Sequence, residues 1–175
     1  HEHPRLAQVE KKPARPLPLT VIVNHFKSYG GIEDERDGPR VRNKRRLQAE
    51  WLAAFLSERQ KTNRDEKIIV CGDLNAFQFN DGYNDLVGIL KGKSEPNVLV
   101  PSKTAFQTGL VNLADIIDKK NQYSYVFDGS AQILDHILVN EAAFNRAVKF
   151  GHARLNGDFP KIYAKEAGRP ERDPR

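Results

Sequence analysis

The sequence predicts an α/β fold, and three observations predict it. Short runs rich in β-branched residues, "LTVIV" at 19–23 and "KIIVC" at 67–71, have the composition of buried strands. Between them, residues 39–60 carry apolar side chains at spacings of three and four, the period of an amphipathic helix. The last third of the chain returns to strand composition, so strands must face other strands as well as helices.

Composition bounds what such a fold can do. A chain of 175 residues suits one domain large enough to bury a core. With 39% apolar and 29% charged residues it groups with soluble globular chains rather than disordered ones. No apolar stretch approaches the length of a membrane span, and no signal peptide is visible at the start. Secreted proteins lose theirs, so location stays open on this ground. Cys71 is the single cysteine, which excludes an internal disulfide and a cysteine-cluster metal site; its place in an apolar strand predicts a buried thiol. The net charge of +5 suits a polyanionic partner without requiring one. The densest basic run, "RVRNKRR" at 40–46, offers Arg42, Arg45 and Arg46 to a nucleic-acid backbone, or else is a solvated helix start.

The elements follow in order. Residues 1–18 are rich in proline and charge and read as an extended leader. The first strand ends in Asn24, His25 and Lys27. A loop of mixed charge with Gly38 and Pro39 leads into the helix. Its expected core stripe is Leu47, Trp51, Ala54 and Phe55, with Arg42, Arg45, Gln48 and Arg59 elsewhere on its surface. Strand, helix, strand is a crossover unit that places both strands in one sheet. Gly72 then lets the chain turn, and Asp73 and Asn75 follow. "NDGYNDLVGILKG" predicts a short helix ended by Gly92. A loop with Pro96 and Pro101 precedes a helical piece at 113–117. Three strands are expected at 123–129, 132–140 and 147–156, the first two joined by a tight hairpin at Asp128, Gly129 and Ser130. Residues 161–175 read as a polar tail, leaving 19–160 as the folded part.

Three polar clusters close these strands: Asn24 with His25, Asp73 with Asn75, and Asp135 with His136. Strand ends in α/β sheets are where a rigid frame carries chemically varied loops. Alone, "GDLN" is as readily an Asx turn as a site, and a lone histidine after a strand is more often structural. Together they suit phosphoryl chemistry. Asp73 and Asn75 offer the oxygen ligands that a hard divalent cation prefers. A carboxylate can take a proton from water, while His25 and the Asn75 amide can donate to charge developing on phosphate. Asp135 interrupts an apolar strand on the face of Ile133 and Ile137, where an unpaired charge is costly, so it needs a histidine or a cation as partner. His136 points to the opposite face and is expected to be structural.

The segments "VIVNHFKS", "RRLQAEWLAAFL", "IIVCGDLNAFQFNDGY", "YSYVFDG" and "ILDHILVN" occur in the order seen in the endonuclease/exonuclease/phosphatase family. Over roughly residues 19–172 the chain resembles that family's bacterial extracellular nucleases, relatives of the DNase I type. The resemblance implies part of a four-layered αββα sandwich, two sheets face to face with helices outside. It also implies hydrolysis of phosphodiesters, with DNA as partner and a divalent cation as cofactor: Mg²⁺ first, Mn²⁺ or Ca²⁺ as alternatives. The implied location is extracellular or cell-surface, with the periplasm as alternative. Matched position by position, His25 corresponds to a phosphate-contacting histidine and Asp73 to the aspartate that orients or deprotonates the attacking water. Asn75 corresponds to an asparagine that helps hold phosphate and metal. Asp135 corresponds to an aspartate paired with a histidine near the family's C-terminus. "HARLNGDFP" resembles a segment that carries an additional acid, here Asp158.

Two departures qualify the resemblance. It begins at the strand before His25, so the chain is expected to be the C-terminal half of the domain. The family's N-terminal asparagine and main metal-binding glutamate are then expected from a missing N-terminal half. "RPER" runs directly into "DPR", where such relatives carry "SDHDP" with the catalytic histidine, so Asp135 is expected to lack that partner. Two other readings stand beside the nuclease: a non-catalytic binding or assembly module, and a lipid or inositol phosphatase (or a sphingomyelinase) of the same family.

Overall fold

A computed structural model describes residues 16–154. The expectations for residues 1–15 and 155–175, Asp158 among them, lie outside the described residues. Both β-branched runs form strands, β1 at Thr20–Val23 and β2 at Ile68–Asp73. The helix between them, α1, spans Gly38–Thr62, with Pro39 in its first turn where the missing amide leaves no bond unmade. β1 and β2 pair in parallel, Thr20 opposite Ile68 and Val23 opposite Cys71, so the crossover unit forms as expected.

A short helix, α2, runs Leu86–Lys91; Asp85 caps its start by accepting from the Gly88 amide, and Gly92 closes it in the left-handed conformation. Next come β3 at Val111–Asn112 and a 3₁₀ turn at Leu113–Ile116, the expected helical piece. β4 (Tyr125–Phe127) and β5 (Ser130–Gln132) form a separate two-stranded hairpin, and β6 (Asp135–Val139) returns to the main sheet. The sheet order is β1-β2-β6-β3, with β6 antiparallel to both neighbours. A last turn of helix, α3, spans Glu141–Phe144 and is capped by the Asn140 side chain.

Alternation along the strands sorts the two faces of the sheet. Ile22, Ile68, Val70 and Leu138 point into the main core, which α1 covers with Ala49, Leu52, Ala53 and Leu56, and α2 with Leu86 and Ile89. The opposite face carries Val21, Val23, Ile137, Asp73 and Asp135 and is open, Val23 being 75% exposed. Among the described residues it is covered only toward β3, where Ala143, Phe144 and Phe150 pack on Ile69, Val111 and Val139.

Four expectations are corrected here. The buried stripe of α1 is Val41, Arg45, Ala49, Leu52, Ala53 and Leu56, while Leu47, Trp51, Ala54 and Phe55 face outward. Two apolar rows compete on this helix, and the row with alanines at its centre lets the backbone lie close against the sheet. The expected strand at 132–140 is broken, because Ile133 and Leu134 carry the chain from the hairpin back to the sheet. Residues 147–154 of the last expected strand are not in a sheet; Phe150 instead anchors that segment on the small cluster beside α3. Cys71 is half-buried rather than buried, since it lies on the open face. The tight hairpin is as expected, with Asp128 at φ 46° and Gly129 at φ 81°, the paired positive angles of a two-residue turn.

Candidate active site

The site is built where β1 and β2 end and β6 begins. Parallel pairing continues past the strands: the Phe26 amide donates to the Asp73 carbonyl at 3.0 Å, which carries His25 alongside Asp73. The antiparallel ladder sets Asp135 directly opposite Asp73. This close approach needs Gly72. It sits at φ 127°, and a Cβ there would fall 2.1 Å from the Asn24 carbonyl oxygen. The structure therefore brings His25, Asp73, Asn75 and Asp135 to one end of the sheet.

His25 Nε2 lies 3.5 Å from Asp73 Oδ2, and the two side chains are 75% and 38% exposed. Asp73 Oδ1 accepts from the Asn75 amide at 2.8 Å, so the Asx turn is real and it also orients the carboxylate. Asn75 is buried at φ 46°, and its Nδ2 donates to the Phe26 carbonyl at 3.1 Å, tying the two strand ends together. Asp135 is exposed and makes no ion pair among the described residues. Its carboxyl is raised above the usual aspartate range, first by desolvation and then by Asp73 across the ladder, with His25 opposing. It shares its face with Ile137 as expected, whereas Ile133 lies outside the strand.

Arg45 corrects the expected nucleic-acid contact, because it is fully buried. Nη1 donates to the Lys27 carbonyl at 2.7 Å, and Nη2 to the Asn75 carbonyl at 2.8 Å and to Asp81 Oδ2 at 3.1 Å. The guanidinium also stacks on Tyr29, 4.1 Å from the ring centre. It thus clamps both site loops to α1. Its spacing was the available signal, four residues after Val41 and four before Ala49 on the buried stripe. Arg42 and Arg46 are half-buried and engaged, Arg42 with the Ile32 carbonyl and Arg46 with Glu50 and Asn43.

Tyr125 was not foreseen. β4 brings its phenol close to the acid pair; the hydroxyl donates to Gln132 Oε1 at 2.8 Å, and its pKa is raised by desolvation, then by Asp73 and Asp135. No spacing in the sequence signals this, since a hairpin outside the main sheet makes the approach. His136 is structural as expected: 2% exposed, with Nε2 donating to the Ala76 carbonyl at 2.8 Å and Nδ1 accepting from Asn112 at 2.9 Å.

The donors present suit a hard divalent cation. Asp73 and Asp135 are carboxylates on adjacent strands, and the repulsion that raises Asp135 is what a cation between them would relieve. Among the described residues no three such groups stand close enough to hold an ion by themselves. A seat of one or two carboxylates, completed by water and phosphate oxygens, is the usual Mg²⁺ arrangement. No curated protein and no solved structure matches the chain. The model of the endonuclease/exonuclease/phosphatase family matches residues 7–157, a span that contains all four site residues.

Proposed function

Because this chain belongs to the endonuclease/exonuclease/phosphatase family of phosphoester hydrolases, we propose that it is a divalent-metal-dependent phosphodiesterase that cuts DNA in the manner of an extracellular nuclease. The observation that carries this reading is the gathering of His25, Asp73, Asn75 and Asp135 at one sheet end, with His25 and Asp73 3.5 Å apart. Asp73 Oδ1 is held by the Asn75 amide, which leaves Oδ2 to take the proton of an attacking water. His25 stands beside it as donor to the charge that develops on a phosphate oxygen. Asp73 and Asn75, with Asp135 opposite, would hold the cation, which supplies Lewis-acid stabilisation of the same phosphate.

DNA as substrate draws on the +5 charge, and the apolar face bearing Val21, Val23 and Ile137 suits packing against a further layer of the family's sandwich. An extracellular or cell-surface location belongs to the same reading. The described residues contribute two carboxylates but no third cation ligand of that kind, and this favours, as second reading, a binding module with an incomplete site.

Supercoiled plasmid with Mg²⁺ or Mn²⁺ tests the proposal. Nicking should appear, vanish in EDTA, and fall by about 10²–10⁴-fold in Asp73→Ala. A folded chain that binds DNA without nicking it would establish the module instead. Release of a headgroup or phosphate from a phospholipid or inositol phosphate, with DNA left intact, would reassign the substrate.

A further inference from the structure

Among the described residues the outward row of α1 belongs to neither hydrophobic cluster. Leu47, Trp51 and Phe55 lie along it, with Trp51 69% exposed and its ring stacked parallel to Phe55 at 5.7 Å. Leu47 and Trp51 form one wall of a groove of 540 Å³ whose opposite wall is Asn24, His25 and Phe26. Lys44 lines the same groove one helical turn before Leu47 and two before Trp51, Arg40 lines it a turn earlier still, and no carboxylate among the described residues lines it. Lys44 makes no ion pair among the described residues; Arg40 is paired only with exposed Asp37 at 3.3 Å. His25 is common to the groove and to the candidate active site.

We propose that this groove is a subsite for an unpaired nucleic-acid strand, with phosphates over Lys44 and Arg40 and a base stacked on Trp51. An apolar row alone would accept any apolar partner. What selects a nucleic acid is the set of cations without acids beside an exposed aromatic, leading to a phosphate-directed histidine. What selects an unpaired strand is that bases within a duplex cannot stack on a protein ring. The inference rests on the phosphodiesterase reading and narrows its substrate to single strands or locally opened duplex. It also relocates the nucleic-acid contact from Arg42, Arg45 and Arg46 to the next face of the helix.

Trp51 is the only tryptophan in the chain, so its emission reports on this groove alone. The full chain is titrated in EDTA, where no strand is cut, with an unlabelled oligothymidylate and with a duplex of equal length. The single strand should quench Trp51 saturably while the duplex does not. Lys44→Ala should lower the salt dependence of that binding by about one unit of log–log slope. Trp51→Ala, followed by anisotropy of a labelled oligothymidylate, should bind roughly tenfold or more weakly. Both positions are exposed, and circular dichroism checks that each variant is folded. Unchanged Trp51 emission while the labelled strand is bound elsewhere would overturn the inference and leave the nuclease proposal standing. Emission already shielded from acrylamide, because another part of the chain or a second copy covers Trp51, would overturn it too. Saturable quenching by a chain that cuts no phosphodiester with metal added would keep the subsite and remove the catalytic reading.

Discussion

Asp135 and His136 are neighbours in β6, and the pleat sends them to opposite environments. Asp135 reaches the open face opposite Asp73, where two like charges make a site that wants a cation. His136 enters the core, where Asn112 and the Ala76 carbonyl fix it as the tautomer with its proton on Nε2. Burial lowers its pKa below the ordinary 6.5, so the folded chain holds it neutral while the unfolded chain can protonate it. Its contribution to stability is therefore complete above pH 6.5 and is lost as pH falls through that value toward the depressed one. Urea midpoints measured from pH 7.5 down to 5 should fall in the parent chain and stay flatter in His136→Gln. Parallel curves for the two would remove His136 as the titrating group. The polarity of Asp73, Asn75 and Asp135 was legible from their places at strand ends. The histidine that stands by Asp73 was legible only as a candidate, because 48 residues of chain separate them and pairing of β1 with β2 closes that gap.

At the scale of the element, α1 has two tasks. One face carries the alanine row that seats it on the sheet, and Arg45 on that face bridges to both loops of the site. A buried guanidinium is tolerable because Asp81 and two carbonyls meet it. Replacing it leaves Asp81, itself 5% exposed, without its partner. Arg45→Ala should cost about 3–5 kcal/mol in chemical denaturation and lower nicking even under conditions where the chain is still folded. Arg45→Lys keeps the charge but loses the fork that reaches two carbonyls and a carboxylate together, and should recover only part of both. Full stability in Arg45→Ala would show that the clamp is not needed. In a string the basic run reads as surface because its five cations look alike; the helical period divides them among faces, and only the sheet says which face is inside.

At the scale of the molecule, the described residues layer the sheet with helices on one side and leave the β1 side of the other face open. Val21, Val23 and Ile137 give that open face an apolar character that water does not favour. The isolated chain should bind a hydrophobic dye and associate with rising concentration, and Val21→Lys with Val23→Lys should return it to a monomer in sedimentation. A dye-silent monomer would mean that the face is already covered. By itself the sequence determined the α/β class, the parallel crossover of β1 and β2, the α2 stop at Gly92 and the tight hairpin, and it offered His25, Asp73, Asn75 and Asp135 as candidates. These follow from local periods and turn chemistry, which are written residue by residue. Only tertiary structure decided which row of α1 is buried, that Arg45 is a clamp, that residues 132–140 divide between two sheets, and that Tyr125 approaches the acids. Each of those depends on a contact between segments far apart in the chain, and no local pattern encodes it.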